Sequence, residues 1–138
     1  MFTREEEMRL TVAGLGDRLQ SLHSAVVGDE PVLMLAGPMP ATERALSKAG
    51  MTIKDIDLVE VNEAFSAVPL AFMQHFDFDH DRVNVNGGAI ALGHPLGATG
   101  TRLLLTLVHN LERQDKRYGM ASACIGGGQG IAMLIERS

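Results

Sequence analysis

The stretch Asn86-Gly87-Gly88-Ala89-Ile90-Ala91-Leu92-Gly93-His94-Pro95-Leu96-Gly97-Ala98-Thr99-Gly100 decides how the chain around it folds. Arg82 to Asn86 reads as a strand, Gly87 to Gly97 as a glycine-rich loop, and the leucine-rich residues beyond it as a helix to about Arg113. Pro95 suits the first position of a helix, which sets His94 immediately before that helix. There the dipole would favour an anion or a developing oxyanion and hold the imidazole neutral, leaving a ring nitrogen for proton transfer or hydrogen bonding. The glycines let the backbone approach a ligand closely.

The same alternation continues on both sides. Pro40 opens a helix that ends at Ala49 before Gly50, with Lys48 in its last turn. Leu58 to Val61 is a short buried strand. Ala64, Ala67, Val68, Ala71 and Phe72 then fall at helical spacing up to about Phe76, and Pro69 requires either a bend or a regular start near Ser66. Tyr118 to Cys124 and Ile131 to Glu136 form two apolar strands around the glycines at 126, 127, 128 and 130, and are expected to pair antiparallel. Ser24 to Leu35 reads as a strand and a loop. Residues 1 to about 22 read as a short helix, from the capping spacing of Thr3 and Glu6 and the recurrence of Met8, Val12, Leu15 and Leu19. The expected organisation is an N-terminal segment of unsettled structure, residues 1–23, and one α/β domain, residues 24–138, a layered mixed sheet with helices on its faces.

A chain of 138 residues fits one domain that buries roughly 70% of its unfolded surface. Twelve basic against 17 acidic residues give a net charge of -5 with the basic residues scattered, so a nucleic-acid footprint is missing. The start Arg4-Glu5-Glu6-Glu7 is unlike an export signal and no apolar run is long enough for a bilayer, which points to a cytoplasmic protein that does not enter a membrane. Cys124 is the single cysteine and cannot form an intrachain disulfide.

Three segments sit at predicted strand ends or helix starts, where α/β sheets place ligands: Asn62-Glu63-Ala64-Phe65, Gly87 to Gly100, and Cys124 to Gly130. In the last of these a thiol precedes three glycines whose N–H groups can form a concave anion site. Taken singly, each has a bland reading: a lone His at such a junction is most often a structural hydrogen bonder, and a lone Cys inert packing. Nucleotide binding is disfavoured, because no Gly-Lys-Ser/Thr ending follows and Gly126, Gly128 and Ile131 miss the dinucleotide fingerprint. His75, Asp77, Asp79, His80 and Asp81 lack the Gly and Glu of a calcium loop, since Arg82 and Gly88 stand there, so a solvated acidic loop is preferred and no metal is expected.

Together and in order, Asn62-Glu63-Ala64-Phe65, Gly93-His94-Pro95 and Cys124-Ile125-Gly126-Gly127-Gly128-Gln129-Gly130 resemble the three C-terminal signature motifs of thiolases. The likeness extends over roughly residues 24 to 137. It implies the C-terminal thiolase domain and a CoA-dependent acyltransferase of fatty acid and lipid metabolism. Such enzymes act on an acyl-CoA or 3-ketoacyl-CoA by thiolysis or by condensing acetyl-CoA, with CoA thioester as substrate and no bound cofactor. By this resemblance His94 activates a nucleophilic cysteine and helps bind a thioester oxygen, and Asn62 orients a water at the same oxyanion hole. Cys124 is the general acid/base at the carbon alpha to the thioester, the Gly126 N–H joins a second oxyanion hole, and Phe65 packs near the pantetheine arm. The acyl-accepting cysteine of that family belongs to an N-terminal half that these residues do not include, so turnover is expected to need that half. The alternatives are a non-catalytic domain that binds a CoA thioester or a protein, and a stand-alone Cys-His thioester hydrolase.

The helix after His94 carries Leu103, Leu104, Leu105, Leu107, Val108 and Leu111 over about 200° of its circumference, wider than the stripe of about 100° that one sheet requires. A homo-oligomer, or a complex with the N-terminal half, is expected to cover the excess.

Overall fold

The computed structural model describes residues 18–138. Its strands are β1 (Leu19–Gly28), β2 (Leu58–Val61), β3 (Tyr118–Ile125) and β4 (Gln129–Arg137), and its helices α1 (Pro38–Ala49), α2 (Ala67–Phe76), α3 (Ala89–Leu92) and α4 (Thr99–Arg113). The four strands form one mixed sheet in the order β1-β4-β3-β2, with β1/β4 and β4/β3 antiparallel and β3/β2 parallel. Among the described residues no helix is long and apolar enough to cross a membrane.

Helices lie on both faces of this sheet. Strand alternation sends Val59 and Val61 of β2, Met120 of β3 and Leu134 of β4 to one side, where they pack with Ala41, Ala45 and Leu46 of α1 and Val68 and Phe72 of α2. Leu58, Ala121, Met133 and Ile135 face the other way, against Leu103, Leu104, Leu107, Val108 and Leu111 of α4. Each such large side chain fully withdrawn from water contributes about 1.5–3 kcal/mol, so the two layers share the stabilisation. All four β2 residues are buried because both layers cover this strand. Helix α4 approaches β3 closely enough that a Cβ on Gly119 would come within 3.0 Å of Leu107.

Local chemistry sets the helix limits. Helix α1 starts at Pro38, two residues before the expected Pro40, and ends where Gly50 takes φ +66 and donates its N–H to Leu46 and Ser47 carbonyls. Helix α2 begins after Ser66, so Pro69 falls in the first turn, where its missing N–H has no intrahelical partner to lose.

Three expectations are corrected. Most of the helix expected over residues 1 to about 22 lies outside the described residues, but Leu19 to Leu22 belong to β1, which runs without a break through position 24 apart from a register shift between Ser21 and His23. Arg82 to Asn86 is not a strand: only Val83 bridges to Val59, and Asn84 turns away at φ +47. Helix α4 starts at Thr99, because Pro95 to Ala98 form a turn with Pro95 O accepting from the Ala98 and Thr99 N–H groups.

The connection from β1 to α1 is moored at both ends. Asp29 donates its N–H to Gly128 O at 2.6 Å, and the Gly37 and Gly130 backbones press together so closely that a Cβ on either would overlap the other strand of chain. Between these moorings Val32, Leu33 and Met34 stand exposed. Of the six apolar residues on α4, five are buried by this chain's own sheet, and Leu105 alone is exposed, at 37%.

Candidate active site

The carboxyl ends of the parallel pair β2 and β3 bring Asn62 and Cys124 to one rim of the sheet. A cavity of about 420 Å³ opens there, and Asn62, Ala64, His94, Thr99, Cys124 and Gly126 are among its lining residues. Asn62 is held by its own N–H, which donates to Ser122 O at 2.8 Å, and is 1% exposed.

His94 sits in a directional chain of hydrogen bonds. Its Nε2 lies 3.3 Å from Asn62 Nδ2 and its Nδ1 2.6 Å from Thr99 Oγ1, while Thr99 Oγ1 donates to Pro95 O at 3.0 Å. The Thr99 hydrogen is committed to Pro95, so Oγ1 accepts from His94 Nδ1–H. An amide nitrogen only donates, so Nε2 is the acceptor. The chain fixes the tautomer with hydrogen on Nδ1 and the lone pair on Nε2. This replaces the expected direct action of a helix N-terminus, since His94 stands five residues before α4 and is tied to it through Thr99.

Cys124 is a free, half-buried thiol near the end of β3, paired in register with Gly130. Burial pushes its pKa up from the ordinary thiol value, with a hydrogen bond to its own backbone acting in the opposite direction. The thiol therefore holds its proton at neutral pH and has one to give. Gly126 lines the same cavity, whereas Phe65 is 62% exposed and lies outside the residues that line it.

Charged residues that sequence reasoning missed lie on or beside the elements that carry this centre. Glu63 accepts from Asn84 Nδ2 and from the Ile90 N–H, each at 3.0 Å. Glu60, in β2 two residues before Asn62, is 1% exposed, and neither carboxylate oxygen has a partner among the described residues. Arg102 on α4 likewise has buried, unpartnered guanidinium nitrogens. Burial is the largest influence on Glu60 and pushes its pKa up to about 8, Arg102 pulling it down and Glu63 pushing it further up. A signal for Thr99 was present in its distance from His94, one turn along the following chain; nothing in the apolar run around Glu60 marks that residue as a charge buried beside the site. Among the described residues no group of three or more His, Cys, Asp or Glu side chains converges as a metal site.

The fold and the site define a layered α/β domain with a polar Asn, His and Cys constellation above the carboxyl ends of its parallel strands. The family model described as "Thiolase, C-terminal domain" matches residues 18–137. The chain is 54% identical over 132 residues to acetyl-CoA acetyltransferase of Escherichia coli (strain K12), covering 96% of this chain and 34% of that protein. Its structure resembles human mitochondrial 3-ketoacyl-CoA thiolase in complex with CoA, with TM-score 0.84 and 52% identity over 87% of this chain and 30% of that one. It also resembles Bacillus anthracis acetyl-CoA acetyltransferase, with TM-score 0.86 and 39% identity over 99% of this chain and 34% of that one. The chain belongs to the thiolase family, as its C-terminal domain. It spans about a third of the length of the curated relatives it matches.

Proposed function

We propose that this domain supplies the acid/base and oxyanion groups of a CoA-dependent acyltransferase that cleaves 3-ketoacyl-CoA or condenses acetyl-CoA. The observation that carries this reading is one cavity shared by an imidazole with its Nε2 lone pair fixed and a thiol whose proton is retained by burial.

In the cleaving direction, His94 Nε2 takes the proton of an acyl-accepting thiol supplied from outside these 138 residues. The thiolate attacks the 3-keto carbon, the bond between the alpha and keto carbons breaks, and the acyl group remains on sulfur. The alpha carbon, leaving with the electron pair, takes the Cys124 proton and departs as acetyl-CoA. A CoA thiol then removes the acyl group. Asn62 Oδ1, buried and without a partner among the described residues, is the acceptor that orients a water at the thioester oxygen. The Gly126 N–H serves a second oxyanion site, and Phe65 lies along the pantetheine arm. The exposed apolar residues Val32, Leu33 and Leu96 support assembly as a homo-oligomer or with an N-terminal half, and a single cysteine suits a reducing compartment such as the cytoplasm.

The test combines the chain with the N-terminal half of a relative and follows thiolysis and acylation of the added cysteine. His94→Ala should block both. Cys124→Ala should leave acylation intact while lowering carbon–carbon cleavage by about 10²- to 10⁴-fold, the usual worth of a general acid/base. Equal loss of acylation in both variants overturns the roles. CoA-thioester binding with no acylation under any pairing favours a non-catalytic binding domain.

A further inference from the structure

We propose that Glu63 is a positioning residue, whose carboxylate pins segment 84–93 to the end of β2 and thereby sets where the His94 ring stands relative to Asn62. At its start Val85 packs on the α4 layer and Asn86 bonds to Asn110 and Arg113, but beyond Gly87 the segment has little else to hold it. Of the four residues of α3 only Ala89 is buried; Ile90 and Leu92 are 66% and 59% exposed, so apolar packing contributes little. A single helical turn is not stable alone. The segment is bracketed by Gly87 at φ +77 and Gly93 at φ +91, residues that take up other conformations at low cost.

Against this freedom stands the Glu63 carboxylate. Oε2 accepts the Ile90 N–H and Oε1 accepts Asn84 Nδ2–H, both at 3.0 Å. Asn84 is in turn fastened to β2, its Oδ1 accepting the Val61 N–H at 2.8 Å and its Nδ2 donating to Val61 O at 2.9 Å. Contact is so close that a Cβ on Gly88 would fall 2.6 Å or less from Cδ and both oxygens of Glu63. Asn62 and Glu63 thus divide one task between adjacent residues. Asn62 touches the ring, and Glu63 fixes the backbone that delivers it. The bearing on catalysis rests on His94 as proton acceptor; the positional claim does not.

The experiment uses the full chain labelled with ¹⁵N, comparing wild type with Glu63→Gln, Glu63→Ala, Gly88→Ala and the Glu63→Ala/Gly88→Ala pair. Glu63→Gln keeps shape but turns an amide donor towards one of the two donors. We expect the Ile90 amide to exchange about tenfold faster and the His94 ring nitrogen signals to move, while Met120 and Leu134 in the sheet keep their protection. Gly88→Ala should perturb the segment strongly alone and weakly when Glu63 is already Ala. The proposal is overturned if Ile90 exchange and the His94 signals stay unchanged in both Glu63 variants. Equal effects of Gly88→Ala in both backgrounds, or loss of Met120 and Leu134 protection together with Ile90, would overturn it too. Moved His94 signals in a chain that never supports acyl transfer with any N-terminal half would sink the acyltransferase reading and leave the positioning role standing.

Discussion

Replacing Glu60 by Gln removes the one carboxyl that the sheet and α4 bury without a hydrogen-bond partner among the described residues. Burial holds its pKa near 8 against an ordinary 4.5. Between these two values the unfolded chain releases a proton that the folded chain keeps, so the folded state binds more protons and loses stability as pH rises. The contribution is fully present below the unfolded value of 4.5 and is gone above about pH 8. At 1.36 kcal/mol per pH unit, the interval corresponds to at most about 5 kcal/mol, comparable with the whole stability of a small domain. Glutamine occupies the same volume and does not ionise. Urea unfolding of wild type and Glu60→Gln from about pH 4 to about pH 9 should give similar midpoints at the acid end and a growing advantage for the variant towards the alkaline end. Comparing the two chains cancels the titration of every other group. A constant difference across the range, or a variant less stable at the alkaline end, would falsify this and show Glu60 ionised and paired with Arg102.

Two other substitutions probe the supports of the site. Thr99→Val keeps the shape of a residue that is 4% exposed but leaves His94 Nδ1–H without its acceptor, which should cost about 1–3 kcal/mol of stability and shift the ring tautomer towards Nε2–H, as read from ring ¹⁵N shifts. Leu107→Ala opens a cavity where α4 meets Gly119, and should lower unfolding stability by about 2–5 kcal/mol in denaturant titration without moving the His94 signals.

Sequence patterns revealed the fold wherever the decisive chemistry is local. Pro38, Pro40 and Gly50 bracket α1 within a few residues of chain, and Pro69 narrowed α2 to a bend or a start near Ser66, of which the structure takes the second. The antiparallel pairing of β3 with β4 follows from the glycine turn between them. The errors arose where distant contacts override local preference. Arg82 to Asn86 alternates like a strand, yet Asn84 uses its side chain to complete the edge of β2 while its backbone turns away. The start of β1 is obscured by the register shift near His23. Asn62, His94 and Cys124 could be singled out because three motifs occur in order, and the structure places all three around one cavity. Thr99, Glu63 and Glu60 were not, because their roles exist only once β2, α4 and segment 84–93 are folded together.

The double mooring of the β1 to α1 connection also has a bearing on engineering. Because Asp29 is tied to Gly128 and Gly37 lies against Gly130, one foot of this loop stands on the turn that follows Cys124 and the other on the start of β4. The exposed tip at Val32 to Met34 can therefore gain or lose residues without carrying the thiol with it, since closing a slightly longer loop costs little once its ends are fixed. Met34 and Leu35 line the cavity beside His94 and Cys124, so tip length becomes a design variable that alters the depth of the cavity mouth while leaving Cys124 where the sheet holds it and His94 where Thr99 holds it.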